Sequence, residues 1–265
     1  MGLYQNRIVV KVGTSTLTNE MGKSDLRSFD RLACVLSDIQ NMGYEVILVS
    51  SGGIAVGTNK LNMKERPSSM RMKQAAAAVG QCSLMYLYDK FFGDYDKTVA
   101  QILLNADDIE EEEKKENLIN TFNALLEMGV IPIVNENDSV SYKEIESEDR
   151  LFGDNDMLSA VVAVLCRAKH LVIFSDIDGF YDHDPRLYPN AQLIDQIDTI
   201  DDSVYALAGG AGSRRGTGGM RTKLQAASLA TSQGTNTIVT NGKRPEVLYD
   251  IVKGGRVGTL FPGKI

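Results

Sequence analysis

The sequence has no tryptophan, two histidines, three cysteines and six prolines among its 265 residues. His170 and His183 alone are too few for a histidine-rich metal centre, and no metal-ligating residues are assigned. Cys34, Cys82 and Cys166 are odd in number, far apart and set in helix-like segments. They are expected to be reduced packing residues of a cytoplasmic protein, not disulfide partners. No apolar run approaches the roughly 20 residues that a membrane-spanning helix needs. The N-terminus shows no signal-peptide pattern, and the Met1-Gly2 opening is not followed by the Ser or Thr at position 6 that myristoylation requires, because Asn6 stands there. Positive charge is also short: 28 Lys and Arg face 35 Asp and Glu, a formal net charge of −7. That balance argues against a nucleic-acid partner. Three nucleotide-site signatures are missing as well: the G-x-x-x-x-G-K-[ST] loop, a G-x-G-x-x-G after the first strand, and the protein-kinase set.

What is present is a regular alternation. Apolar, β-branched runs at 7–12, 45–49, 98–103, 130–134, 170–174 and 237–239 read as strands, with 257–261 as a final one. Between them lie helical patterns at 68–92, 111–128, 154–167, 221–233 and 245–252. A further helix is expected from a Ser24 cap through Leu26, Phe29, Leu32, Leu36 and Ile39 to a stop at Gly43. The acidic run 107–113 reads as a solvated helix start. Continuous apolar strands separated by helices predict an open, mainly parallel sheet between two helical layers, an α/β/α sandwich. No repeat and no Pro- or Ser-rich linker divides the chain, so residues 1–265 are expected to form a single domain.

In such sheets ligands bind beyond the carboxyl ends of the strands. Four of those ends carry unusual residues: Lys11-Val12-Gly13-Thr14-Ser15, Ser50-Ser51-Gly52-Gly53, Asn135-Glu136-Asn137-Asp138 and Ser175-Asp176-Ile177-Asp178-Gly179. Gly13-Thr14-Ser15 is either a plain turn or a phosphate cradle beside Lys11. Ser50 to Gly53 is either a helix cap or a site for a substrate carboxylate. Gly153-Asp154-Asn155-Asp156 opens a helix and holds more polar groups than capping requires. The run from Gly209 to Lys223 contains six glycines. It reads as a disordered loop or as one that closes over a nucleotide and delivers Lys223. The small residues of Lys73 to Gln81 suggest close packing, with a second subunit as one partner to consider.

These motifs, in this order, resemble the amino-acid kinase family, and within it the branch that phosphorylates free glutamate. The resemblance covers essentially the whole chain. It rests on Val9 to Ser15, Val49 to Ala55, Lys73 to Gln81, Val134 to Asp138, Gly153 to Ala160, Asp184-Pro185-Arg186, Gly216 to Lys223 and Val257 to Phe261. It implies ATP and Mg²⁺ as cofactors and L-glutamate as substrate. The implied reaction yields L-glutamyl 5-phosphate, the first step of proline biosynthesis. Lys11 and Lys223 are implied to contact the phosphates, and Asp156 to hold the two lysines. Ser51, Gly52, Asn135, Asp138 and Asn155 are implied to bind glutamate. Gly13, Thr14, Ser175, Asp176, Thr217, Gly218, Gly219, Met220, Arg221 and Thr222 are implied to surround the nucleotide. The glutamate part is expected over roughly 1–168 and the nucleotide part over roughly 169–265. Many bacterial relatives continue into a C-terminal PUA domain, and none is expected here.

The resemblance further implies proline as a feedback inhibitor, glutamyl-phosphate reductase as a pathway partner, and a homodimer or homotetramer. The chemistry fits without a catalytic histidine or cysteine, since a side-chain carboxylate is ionised at neutral pH and needs no general base. The Lys–Asp–Lys groups are expected at strand and helix ends, outside the core. A same-fold acetylglutamate kinase, a silent small-molecule sensor and a dehydrogenase are the competing readings. The 135–138 run, the intact lysine pair and the missing dinucleotide fingerprint count against them in turn.

Overall fold

A computed structural model describes residues 2–19, 23–140, 155–208 and 219–264. In chain order the elements are β1 (Tyr4–Val12), α1 (Thr14–Leu17), α2 (Leu26–Asn41), β2 (Glu45–Ser50), α3 (Gly53–Lys60), α4 (Met70–Gly93), β3 (Val99–Leu104), α5 (Asp107–Glu110), α6 (Glu112–Glu127), β4 (Ile131–Glu136), α7 (Asn155–Leu165), β5 (Ala168–Ser175), α8 (Asp202–Leu207), α9 (Met220–Ser232), β6 (Asn236–Asn241), α10 (Val247–Val252) and β7 (Thr259–Phe261). The strands form one sheet in the order β3-β4-β2-β1-β5-β6-β7. Every pairing is parallel except β6 with β7, which is antiparallel. This is the mainly parallel, helix-covered sheet that the alternation predicts.

The alternation of side chains along a strand decides what faces what. On β1, Ile8, Val10 and Val12 point into a core shared with Phe29, Leu32 and Leu36 of α2, Leu84 and Phe92 of α4, and Leu248 of α10. Val9 points the other way, into a core with Phe122 of α6, Leu158 and Val162 of α7, and Leu224 and Ala227 of α9. Lys11 has the parity of Val9, so it leaves the strand on the α7–α9 side. The order of strands changes direction beside β1: the chain goes first to β2 and the β3 edge, then crosses to β5, β6 and the β7 edge. The carboxyl end of β1 is therefore the switch point at which such sheets collect ligands.

Several local readings shift. The cap of α2 is Asp25, whose carboxylate accepts from Arg27 N at 3.2 Å and from Ser28 Oγ at 2.8 Å, while Ser24 makes an isolated bridge with Thr18. The acidic run does not open a single helix but makes the separate turn α5 before α6. The helices α1, α3 and α8 have too few residues for an apolar period to register in sequence. Cys34 is half-buried and Cys166 buried, but Cys82 is exposed, so it is no packing residue; all three are free thiols. Among the described residues no helix is long and apolar enough to cross a membrane.

The small residues of α4 do pack closely, and their partner is α3 of the same chain. A Cβ on Gly57 would stand 1.7 Å from Ala76 O, and one on Gly80 would stand 1.7 Å from Gly53 O. Only glycine lets the two backbones meet at that distance.

Candidate active site

Three elements converge at the end of β1. The strand supplies Lys11, the first turn of α7 supplies Asp156, and the first turn of α9 supplies Thr222 and Lys223. Asp156 is fully buried. Its Oδ1 lies 2.6 Å from Lys11 Nζ and its Oδ2 lies 2.9 Å from Lys223 Nζ. Thr222 Oγ1 donates to the same Oδ2 at 3.0 Å. Burial alone would raise the Asp156 pKa, but the charges of Lys11 and then Lys223 outweigh it and hold the carboxyl at about 2. One carboxylate thus spaces two ammonium groups that are themselves only 7% and 8% exposed. The expectation that these groups lie outside the core is therefore wrong: the strand end is covered by α7 and α9, and the charges sit beneath them.

The glycine loop after β1 runs past this centre. A Cβ at Gly13 would be 3.7 Å from Lys11 Nζ, so the backbone there lies beside the ammonium. Thr14 in turn meets Gly52, whose Cβ would fall 3.5 Å from Thr14 Oγ1. Gly52 adopts φ +108°, a left-handed turn between β2 and α3. Ser51 N donates to Val12 O at 3.1 Å, which carries the β1–β2 ladder one step past the strands.

Asn155 ties the β2 and β4 ends to α7. Its Nδ2 donates to Ser50 O at 2.9 Å and to Asn135 Oδ1 at 2.8 Å. Because Asn155 precedes Asp156, the same two bonds fix where α7 begins and so where the carboxylate stands. Asp138 lies half-buried in the turn after β4. On the other side of β1, Ser175 Oγ donates to Asp176 Oδ1 at 3.3 Å, and Gly242 N donates to Ser175 O at 2.9 Å, joining the β5 and β6 ends.

Lys11, Asp156, Thr222 and Lys223 thus form one centre, with Gly13 against it. Thr14, Gly52, Ser51, Asn135 and Asn155 line the β2–β4 side; Ser175 and Asp176 lie at the end of β5. Gly219 and Met220 are at the start of α9 and half-buried. Arg221 is exposed, with its guanidinium 5.9 Å from the Tyr205 ring, and among the described residues no contact carries it to the lysine pair. Gly153, Asp154, Arg214, Arg215, Gly216, Thr217 and Gly218 lie outside the described residues.

Two further groups are given no role from sequence. Tyr88 OH lies 2.7 Å from Ser50 Oγ, a buried pair behind the Ser50–Gly53 turn. In sequence it reads only as one more aromatic residue of a helix. Arg186 of Asp184-Pro185-Arg186 reaches Asp176 at 3.5 Å and Asp184 at 3.2 Å, which bends the 180s loop back toward the β5 end.

A buried Lys–Asp–Lys centre at the switch point of a parallel sheet defines the class. The chain belongs to the amino acid kinase family, whose model matches residues 6–241. Within it the chain groups with the glutamate 5-kinases. It is 55% identical over 258 residues to glutamate 5-kinase of Clostridium perfringens, covering 97% of this chain and 96% of that one. It is 51% identical over 258 residues to glutamate 5-kinase of Listeria innocua, covering 97% and 93%. Among solved structures, UMP kinase from Bacillus anthracis matches with TM-score 0.66 at 16% identity, covering 98% of this chain and 97% of that one. Carbamate kinase from Giardia lamblia bound to AMP-PNP matches with TM-score 0.68 at 16% identity, covering 98% of both. These two likenesses bear on the fold alone.

Proposed function

We propose that this enzyme transfers the γ-phosphoryl group of ATP to the side-chain carboxylate of L-glutamate, yielding L-glutamyl 5-phosphate and ADP, as the first step of proline biosynthesis. The observation that carries the reading is the Lys11–Asp156–Lys223 centre joined, through the adjacent Asn155, to the polar ends of β2 and β4. A carboxylate oxygen attacks the γ-phosphorus while the bond to the β–γ bridging oxygen breaks. The acceptor is already ionised, so no base is required. What the chain must supply is alignment and neutralisation of charge on the moving phosphoryl group. Lys11 and Lys223 supply the charge, and Asp156 holds them apart from one another. The Gly13–Thr14 backbone and the start of α9, from Thr217 to Thr222, surround the phosphates, with Ser175 and Asp176 toward the nucleoside. Ser51, Gly52, Asn135, Asp138 and Asn155 bind glutamate. Mg²⁺ bound with the nucleotide would add to the neutralisation of charge on the phosphates.

The test is direct. Incubation with ATP, Mg²⁺, glutamate and hydroxylamine is expected to give glutamyl hydroxamate. Turnover is expected to fall by about tenfold or more with N-acetylglutamate, because on this reading Asp138 pairs with the free α-ammonium that acetylation removes. Faster turnover of the acetylated substrate would reverse the assignment.

Regulation follows from the same contacts. Proline keeps an α-carboxylate and a ring ammonium but lacks the acceptor carboxylate. It can therefore use the glutamate contacts, Asp138 among them, without being phosphorylated. Inhibition by proline is expected to weaken as glutamate rises, and Asp138→Ala to raise both the glutamate KM and the inhibiting proline concentration. Complete insensitivity to millimolar proline at low glutamate would remove this part of the proposal. Homo-oligomerisation, a cytoplasmic setting and delivery of the acyl phosphate to a glutamyl-phosphate reductase complete the reading.

A further inference from the structure

Gln81 has no part in the groups described so far, yet it is 8% exposed and its Nε2 has no hydrogen-bond partner among the described residues. A buried amide N–H left unpaired is costly, and native structures rarely tolerate one without a reason. Its location suggests the reason. Nε2 lies 2.9 Å from where a Cβ of Gly53 would be, so the amide fills the space left by the missing side chain at the first residue of α3.

That helix end is itself open. Its N-cap is Gly52, which offers no side-chain cap, and the first bond inside the helix is Val56 N to Gly52 O at 2.9 Å. The N–H groups of Gly53, Ile54 and Ala55 therefore have no partner within the helix. The uncapped helix start and the unpaired buried amide both lie at Gly53, and both suit an anion. The spot is on the β2 side of β1, the side of Ser50, Asn135 and Asn155, and Gln81 comes from α4, which covers that side. The anion it suits is thus the acceptor and not the nucleotide.

We propose that Gln81 is a substrate-binding residue: its side-chain amide donates a hydrogen bond to a carboxylate of the amino-acid acceptor seated at the N-terminus of α3. The inference rests on the glutamate reading above and adds a specificity-determining residue to it. The amide also explains why position 53 is glycine, since any side chain there would displace it.

Gln81→Met keeps the length and apolar stem and removes the amide. In the ligand-free protein the variant is expected to melt at or above the wild-type temperature, because an unpaired buried amide contributes no bond to lose. With ligand the order reverses. The glutamate KM is expected to rise about tenfold or more, as for loss of a bond to a charged acceptor, with the ATP KM within about twofold. The rise in Tm produced by saturating glutamate shrinks accordingly. Gln81→Glu sets a carboxylate against a carboxylate and is expected to raise the glutamate KM further than Met does. An unchanged glutamate KM in Gln81→Met, or a ligand-free melting point several degrees below wild type, overturns the proposal. The wild-type hydroxamate assay separates the two levels. If wild type makes no hydroxamate from glutamate, the functional reading fails. If wild type does so and Gln81→Met matches it, only the role of Gln81 fails.

Discussion

Asp156→Asn is expected to lower kcat by ~10²-fold or more, the scale seen when a group that organises transition-state charge is removed. The amide is nearly isosteric but leaves two ammonium groups facing each other. Lys11 and Lys223 are almost fully buried, so the change also destabilises the fold, by about 3–5 kcal/mol as for other buried pairs that lose one partner. Lys223→Ala is expected to cost a similar factor in kcat but less stability, because Asp156 keeps its 2.6 Å contact with Lys11. Acid provides a second axis. The Asp156 pKa in the folded chain is about 2, below its usual value, so the stabilisation it brings is complete above pH ~4. It is lost as the pH falls through the folded value, because the unfolded chain then binds the proton more readily. The stability gap between wild type and Asp156→Asn should therefore be constant near neutrality and close between pH ~4 and ~2. Urea melts across that range, with steady-state kinetics at pH 7, test both halves. A kcat within about threefold of wild type would show that the carboxylate does not position the lysines for transfer.

Gly80→Ala is expected to be among the most damaging single-methyl changes in this chain. The added Cβ would stand 1.7 Å from Gly53 O and 2.7 Å from Gly57 N. Neither atom is on a flexible side chain, so α3 and α4 must separate by more than an ångström. The cost is expected to reach or exceed about 3 kcal/mol, the upper range for overpacking. Any chain that still folds should bind glutamate poorly, because Ser51, Gly52 and the start of α3 move with the helix. Gly57→Ala, with its clash against Ala76 O, should behave alike. The control lies in the same helix: nothing stands within 4 Å of a Cβ on Gly93. Gly93→Ala should be neutral or stabilising by up to about 1 kcal/mol, the ordinary helix preference of alanine. Equal effects at positions 80 and 93 would mean that the helices do not meet at their backbones.

Much of this was legible beforehand, and the reasons are specific. The strands announce themselves because a sheet covered on both faces needs unbroken apolar runs, as in Ile8-Val9-Val10 and Leu171-Val172-Ile173. Lys11 stands out because a charge at the end of such a run requires a purpose, and Lys223 because it closes a glycine-rich run. Asp156 is visible as one acid too many for a cap. What was not legible depends on distance in three dimensions. Nothing in sequence tells that Tyr88 meets Ser50 or that Gln81 lies against Gly53, since both look like ordinary helix residues. The packing partner of the small residues in α4 was open for the same reason: a glycine seam reads alike whether the other helix is in the same chain or another. The depth of the charged centre was misjudged because burial at a strand end depends on which helices fold over it, here α7 and α9.

The register of β1 has a mechanical consequence. Lys11 is paired across the sheet with Val49 on one side and with Ile173 on the other. Neighbouring strands lie about 4.8 Å apart, so the ends of β2 and β5 are separated by roughly 10 Å along the hydrogen-bonding direction. That span is set by backbone ladders, not by side chains, and a three-strand parallel ladder neither stretches nor hinges. On the proposed reading, the acceptor side and the nucleotide side are thus held like two jaws of a fixed-width vice with Lys11 between them. Whatever closes the last distance between carboxylate and phosphorus must come from the turns and helix starts beyond the strand ends, while the sheet keeps its width through every turnover.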